Sequence, residues 1–120
     1  MSRTRNYRDL LVWQKAMELA REAYTRTEEF PASETFGLRQ QIRRSAVSVP
    51  SNIADGHGRL ADADLRKFLA AARGSVYEMQ TQVELAKDLK FLNSENADHL
   101  LSLSTEVAKL TNGLLAVLQN

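Results

Sequence analysis

A chain of 120 residues, 43% of them hydrophobic, is long enough for one core and too short for two of ordinary size. It contains no cysteine, which excludes a disulfide framework, a thiolate metal site and a cysteine nucleophile, and suits a reducing compartment. The net charge of +1 hides a polarised chain: residues 1–26 and 36–74 sum to +3 and +4, whereas residues 27–35 and 75–120 sum to −3 each.

The basic start, Met1 to Arg8, is followed by no apolar signal region, and no apolar run approaches the roughly 20 residues needed to cross a bilayer. The expected location is the cytoplasm. The first periodic segment sets Leu10, Trp13, Met17, Ala20 and Tyr24 on one helical face, with Leu11, Val12, Ala16, Leu19 and Ala23 widening it. The spacing predicts a helix over about residues 7–29 with a stripe broad enough for more than one neighbour. Phe30-Pro31-Ala32-Ser33 stops it, because Pro31 lacks a donor and drives Phe30 from the α region; Ser33 is the predicted cap of the next helix.

That second helix is predicted over about residues 34–56, with Leu38, Ile42, Ala46, Val49 and Ile53 in one narrow arc. One helical phase persists across Pro50, which predicts a kink there; a break with a new helix beginning at Pro50 has the same spacing. Gly56-His57-Gly58 is the expected stop, with Gly56 in the left-handed conformation. A third helix over about 62–91, capped by Asp62, carries the unbroken row Leu65, Leu69, Ala72, Val76, Met79, Val83 and Ala86. A fourth over about 94–118, capped by Asn93 or Ser94, carries Leu100, Leu103, Val107, Leu110, Leu114 and Val117. Long helices joined by short loops predict one all-α domain, an antiparallel up-down-up-down four-helix bundle.

The chemistry that such a chain can carry is limited. His57 and His99 are too few for a triad or a histidine-rich metal site, and a solvated helix start accounts for Glu95 and His99. No Walker loop, dinucleotide fingerprint or nucleophile elbow occurs, and Gly56-His57-Gly58 lacks the strand that phosphate loops need. The expectation is a protein without catalytic residues, metal or cofactor.

Three sets of side chains flank the apolar rows. Gln41, Ser45, Ser48, Asn52 and Asp55 on helix 2, with Ser75, Glu78 and Gln82 on helix 3, are candidates for a polar seam whose members satisfy one another and fix register. Arg39, Arg43 and Arg44 on helix 2, and Arg66 and Arg73 on helix 3, form basic rows able to follow phosphates, although solvated helix faces use arginine in the same way. Phe36, Val47 and Ala54, and on helix 3 Ala70 and Tyr77, fall away from the core rows and suggest self-association.

Several ordered blocks in these helices resemble a known family. They are Asp9-Leu10-Leu11-Val12-Trp13-Gln14-Lys15-Ala16, Phe30-Pro31 with Glu34 and Gly37-Leu38, Gln41 through Pro50, Asn52-Ile53-Ala54-Asp55-Gly56, and Ala72-Arg73-Gly74-Ser75 with Glu78. The chain is similar to the small four-helix-bundle proteins first met as reading frames in intervening sequences of bacterial 23S ribosomal RNA genes. It departs from them at Asp55, where the family usually has Glu, and helix 4 carries little of the pattern. The resemblance implies a five-fold ring with helix 2 kinked at Pro50. It also implies kinship to the accessory variability proteins of diversity-generating retroelements, whose basic ring is thought to engage nucleic acid and a reverse transcriptase. By that likeness the partners are further copies of the chain and RNA or DNA, through Arg39, Arg43, Arg44, Arg66 and Arg73. A protein-interaction module without a nucleic-acid role is the competing expectation.

Overall fold

Apolar residues recurring at steps of three and four become helical stripes, and in the computed structural model, which describes residues 6–118, four of them pack together. The helices are α1 (Leu11–Arg26), α2 (Leu38–His57), α3 (Asp62–Asp88) and α4 (Ser94–Leu118), with 3-10 turns at Tyr7–Asp9 and Ala32–Glu34. Neighbours in sequence pack side by side and α4 closes back on α1, while among the described residues the backbones of the diagonal pairs stay farther apart. The body measures 45 × 20 × 20 Å, so α3, at 27 residues, spans most of its length. Buried apolar side chains from all four helices form a single cluster.

The element ends differ from the sequence expectation for local reasons. Asn6 accepts the Arg8 amide and Leu10 is extended, which holds Tyr7–Asp9 as a separate turn and starts α1 at Leu11 instead of residue 7. The Thr27 hydroxyl donates to the Ala23 carbonyl at 2.7 Å, satisfying a terminal acceptor as α1 stops at Arg26. Ser33 does not cap α2. That helix starts at Leu38, and the Leu38 amide donates to the Glu34 carboxylate at 2.9 Å. Asp62 is the first residue of α3 and not its cap, which is Ala61. At the far end α3 stops at Asp88, and Lys90 turns the chain with φ 64°. Asn93 caps α4 by accepting the Asn96 amide at 2.7 Å.

Gly56 is also corrected. It is helical and buried, no described glycine has positive φ, and α2 continues to His57. Its use is proximity: a Cβ there would lie 2.6 Å from Phe68 Cβ, so the missing side chain lets α2 and α3 approach. α2 runs unbroken through Pro50, which is buried inside the helix.

The rows of α2 and α3 are buried residue for residue. Those of α1 and α4 are rotated. In α1 the flanking set Val12, Ala16, Leu19 and Ala23 forms the centre with Ala20, and Tyr24 is exposed. In α4 the buried set is Ala97, Leu100, Ser104, Val107, Ala108, Thr111 and Leu118, while Val117 is 59% exposed. The hydroxyls of Ser104 and Thr111 enter the interior because each donates to a carbonyl of its own helix, Leu101 and Val107, both at 2.8 Å. No helix among the described residues is long and apolar enough to cross a membrane.

Candidate functional site

The polar flanks of α2 and α3 meet. Ser45 Oγ, buried, lies 2.8 Å from Glu78 Oε1 and 2.9 Å from Gln82 Oε1. One hydroxyl proton serves one acceptor, so it goes to the carboxylate, and the Gln82 amide turned over donates to the hydroxyl. One turn on, Asn52 donates to the Ser48 hydroxyl at 3.0 Å and carbonyl at 2.9 Å, and the Ser48 and Ser75 hydroxyls share a hydrogen bond at 2.9 Å. Six of the eight seam candidates are therefore joined, in two groups. Asp55 is directed past the end of α2 to Arg59, at 3.1 Å, and Gln41 is exposed. Ser45 and Glu78 have no histidine beside them in these contacts. No group of three or more His, Asp or Glu among the described residues is placed to hold a metal ion.

The arginines separate into two places. Arg39, Arg43 and Arg44 line a surface groove of about 400 Å³ with Tyr24 and Phe36. Arg43 is its floor: Nε donates to Thr27 Oγ1 and Nη2 to the Tyr24 carbonyl, both at 2.9 Å, while the guanidinium lies 4.5 Å above the Tyr24 ring. Burial, with the Arg39 charge beside it, pulls Arg43 below its ordinary pKa. Arg39 Nε is shielded and finds no acceptor among the described residues. Arg44 is exposed. On α3, Arg73 donates to Asn112 of α4 at 3.0 Å, and Arg66 is exposed two turns earlier. Since Arg43 faces α1 and Arg73 faces α4, the two rows lie on opposite sides of the α2–α3 pair.

The apolar candidates are exposed in the same divided way. Phe36 is 88% exposed at the mouth of the arginine groove, Val47 follows on α2, and Ala54 is half-buried. Ala70 and Tyr77 are exposed on α3. At about 100° per residue, Val47 and Ala54 point to the α1 side of α2, so the seam separates them from Ala70 and Tyr77.

A family model described as "23S rRNA-intervening sequence protein" matches residues 8–113, from the 3-10 turn before α1 to within a turn and a half of the end of α4. The chain belongs to the 23S rRNA-intervening sequence protein family. A crystal structure of a protein of unknown function from the S23 ribosomal protein family of Bacteroides thetaiotaomicron has the same fold, with a TM-score of 0.79 at 24% identity over 88% of this chain and 98% of that one. A comparison with curated proteins gives no match.

In this member of the 23S rRNA-intervening sequence protein family, the blocks quoted above contribute differently to the structure. Gln41 to Pro50 supplies both the core row and the first half of the seam, and Gly56 supplies the close approach to Phe68. Sequence reasoning missed the α1–α4 cluster, in which Glu22 Oε1 lies 2.8 Å from both Arg26 Nε and His99 Nε2, and Arg26 Nη1 donates to Asn96 at 2.7 Å. The Glu22–Arg26 spacing was the available signal; nothing local in sequence announces His99 as its third member.

Proposed function

We propose that the protein is a non-enzymatic homo-oligomeric scaffold, with a five-fold ring as the expected assembly, that contacts RNA or DNA through its basic helical faces. The observation that carries this reading is the convergence of Arg39, Arg43 and Arg44 in one groove beside exposed aromatic side chains. Arg66 and Arg73 form the second basic face, and Val47, Ala54 and Tyr77 supply apolar surface for assembly, which leaves Phe36 open at the groove. The up-down-up-down arrangement within each subunit is supported by cross-helix pairs that run in opposite order: Ser45 with Glu78 but Ser48 with Ser75, Arg73 with Asn112 but Gln80 with Ser104, Lys15 with Glu106 but Arg26 with Asn96. A bend of α2 belongs at Pro50, which has no amide to donate to the turn before it.

Light scattering of the purified chain, followed by gel shifts with RNA and DNA over a salt series, tests both halves. The expected result is an oligomer that binds at low salt and loses affinity steeply as salt rises. A monomer removes the assembly, and no binding at any salt removes the nucleic-acid role. A second reading, a protein-interaction module, is supported by Arg43 and Arg73 being engaged inside the fold, at Thr27 and Asn112. On that reading the chain assembles but shifts no nucleic acid.

A further inference from the structure

The groove between the end of α1 and the start of α2 sets three guanidiniums beside a ring that is 88% exposed, whereas Tyr77, the aromatic beside Arg73 on the other basic face, is 45% exposed. Its three guanidiniums differ in freedom. Arg43 is fixed by Thr27 and Tyr24, Arg39 has a shielded Nε with no acceptor among the described residues, and Arg44 is open to solvent. A bound anion would meet Arg44 and the groove-lining side of the Arg39 guanidinium, whose Nε stays shielded, without disturbing the contacts that hold Arg43. Beside them Phe36 presents a ring that is 88% exposed, just ahead of the first turn of α2. An apolar ring left in water next to grouped cations suits a ligand with a planar face attached to a phosphate.

We infer that this groove binds single-stranded nucleic acid, with a backbone phosphate between Arg39 and Arg44 and a base stacked on Phe36. The inference rests on the nucleic-acid reading above and specifies where and in what form the strand is held. Stacking needs an unpaired base, because a base within a duplex shows its edges and not its face. The acidic turn limits the contact: Glu28 is near enough to act on Arg43, and Glu34 caps α2 at the groove's end. A phosphate track cannot continue past those carboxylates, so the site takes a short stretch of strand. An acidic peptide would satisfy the arginines and leave Phe36 without a planar partner.

Fluorescence anisotropy with a labelled single-stranded RNA of about ten nucleotides, the same sequence as a duplex, and a salt series provides the test. The full chain should bind the single strand more tightly than the duplex. Phe36→Ala should weaken the single strand by about tenfold, and Arg44→Glu should weaken it and flatten the salt dependence. Lys67→Glu, the same charge change on the exposed surface of α3, should leave affinity within about twofold. Both groove residues are exposed, and melting curves should confirm that the variants are folded. If the single strand binds and Phe36→Ala and Arg44→Glu bind as the parent does, the groove is not the site although the broader reading stands. Preference for the duplex also overturns the inference. Binding of neither probe removes both readings together.

Discussion

The α2–α3 and α1–α4 contacts are built from the same periodic stripes and held at their edges by different chemistry. Between α2 and α3 each polar link has a short serine on at least one side: Ser45 reaches Glu78 and Gln82, Ser48 reaches Ser75, and Gly56 admits Phe68. Between α1 and α4 they are long and most carry charge, with Lys15 against Glu106 at 3.3 Å and Glu22, paired with Arg26, against the His99 imidazole at 2.8 Å. Short side chains tolerate little sliding, so the first contact fixes register by distance. Long ion pairs adjust to displacement and respond to pH and salt, so the second is held by conditions as well as by shape.

The largest expected effect comes from removing the close approach. Gly56→Ala puts a Cβ against Phe68 Cβ, an atom next to the backbone that cannot swing away. The gain in helix propensity offsets part of the strain, and a net loss of about 1–2 kcal/mol should appear in urea unfolding. A stabilised Gly56→Ala protein would mean that α2 and α3 are free to separate, and the contrast between the two contacts would weaken. Ser45→Ala comes next. It leaves Glu78 and Gln82 without their shared hydroxyl and should cost about 1 kcal/mol. A double-mutant cycle with Glu78→Gln should show coupling, and strict additivity would mean that the two side chains act independently.

The same contrast governs what the sequence discloses. In α2 and α3 the apolar rows are unbroken, and polar residues at helical spacing beside them announce which flank faces which, so the core was readable and so were six of the eight seam candidates, Gln41 and Asp55 being the exceptions. In α1 the stripe is so broad that spacing alone cannot choose between the Leu10-Trp13-Met17 line and the Val12-Ala16-Leu19 line; contact with both α2 and α4 chooses the second. In α4, leucines occupy more of the circumference than the core requires, and Ser104 and Thr111 reach the interior by bonding to their own backbone. Neither choice is local. Nor was the separation of the arginines: on paper they form two rows, and only the packing shows that Arg43 faces α1 while Arg73 faces α4. Gly56 looked like a helix terminator because two glycines flank His57, whereas its function depends on a residue twelve positions away.

Thr111 gives a smaller effect and tests the rotated face of α4 directly. Its hydroxyl donates to the Val107 carbonyl, and both groups lie inside the core. Thr111→Val should change stability by less than about 1 kcal/mol, because that carbonyl keeps its helical partner and the added methyl group is buried. Ser45→Ala on the opposite contact has no such fallback, so the two variants should differ in melting temperature, with Thr111→Val the more stable. Equal losses would mean that a buried hydroxyl counts the same on both sides of the bundle.

The smallest effect depends on pH and belongs to α1–α4 alone. The hydrogen bond from Arg26, with the charges of Arg26 and His99, holds the Glu22 carboxyl below its ordinary value of 4.5, against an opposing contribution from burial. A carboxyl whose folded pKa is depressed binds its proton more readily in the unfolded chain. Its stabilisation is therefore present above about pH 4.5 and is lost as pH falls through the lower folded value. Glu22→Gln should be less stable than the parent at pH 6–7 by under about 1 kcal/mol, since the pair is partly exposed, and the difference should shrink as pH falls below 4.5. Ser45→Ala removes a hydroxyl that carries no charge, so its deficit should not follow the pH dependence of Glu22→Gln. If Glu22→Gln instead shows a constant deficit from pH 3 to 7, the α1–α4 contact is held by shape like its counterpart, and charge does not set the two apart.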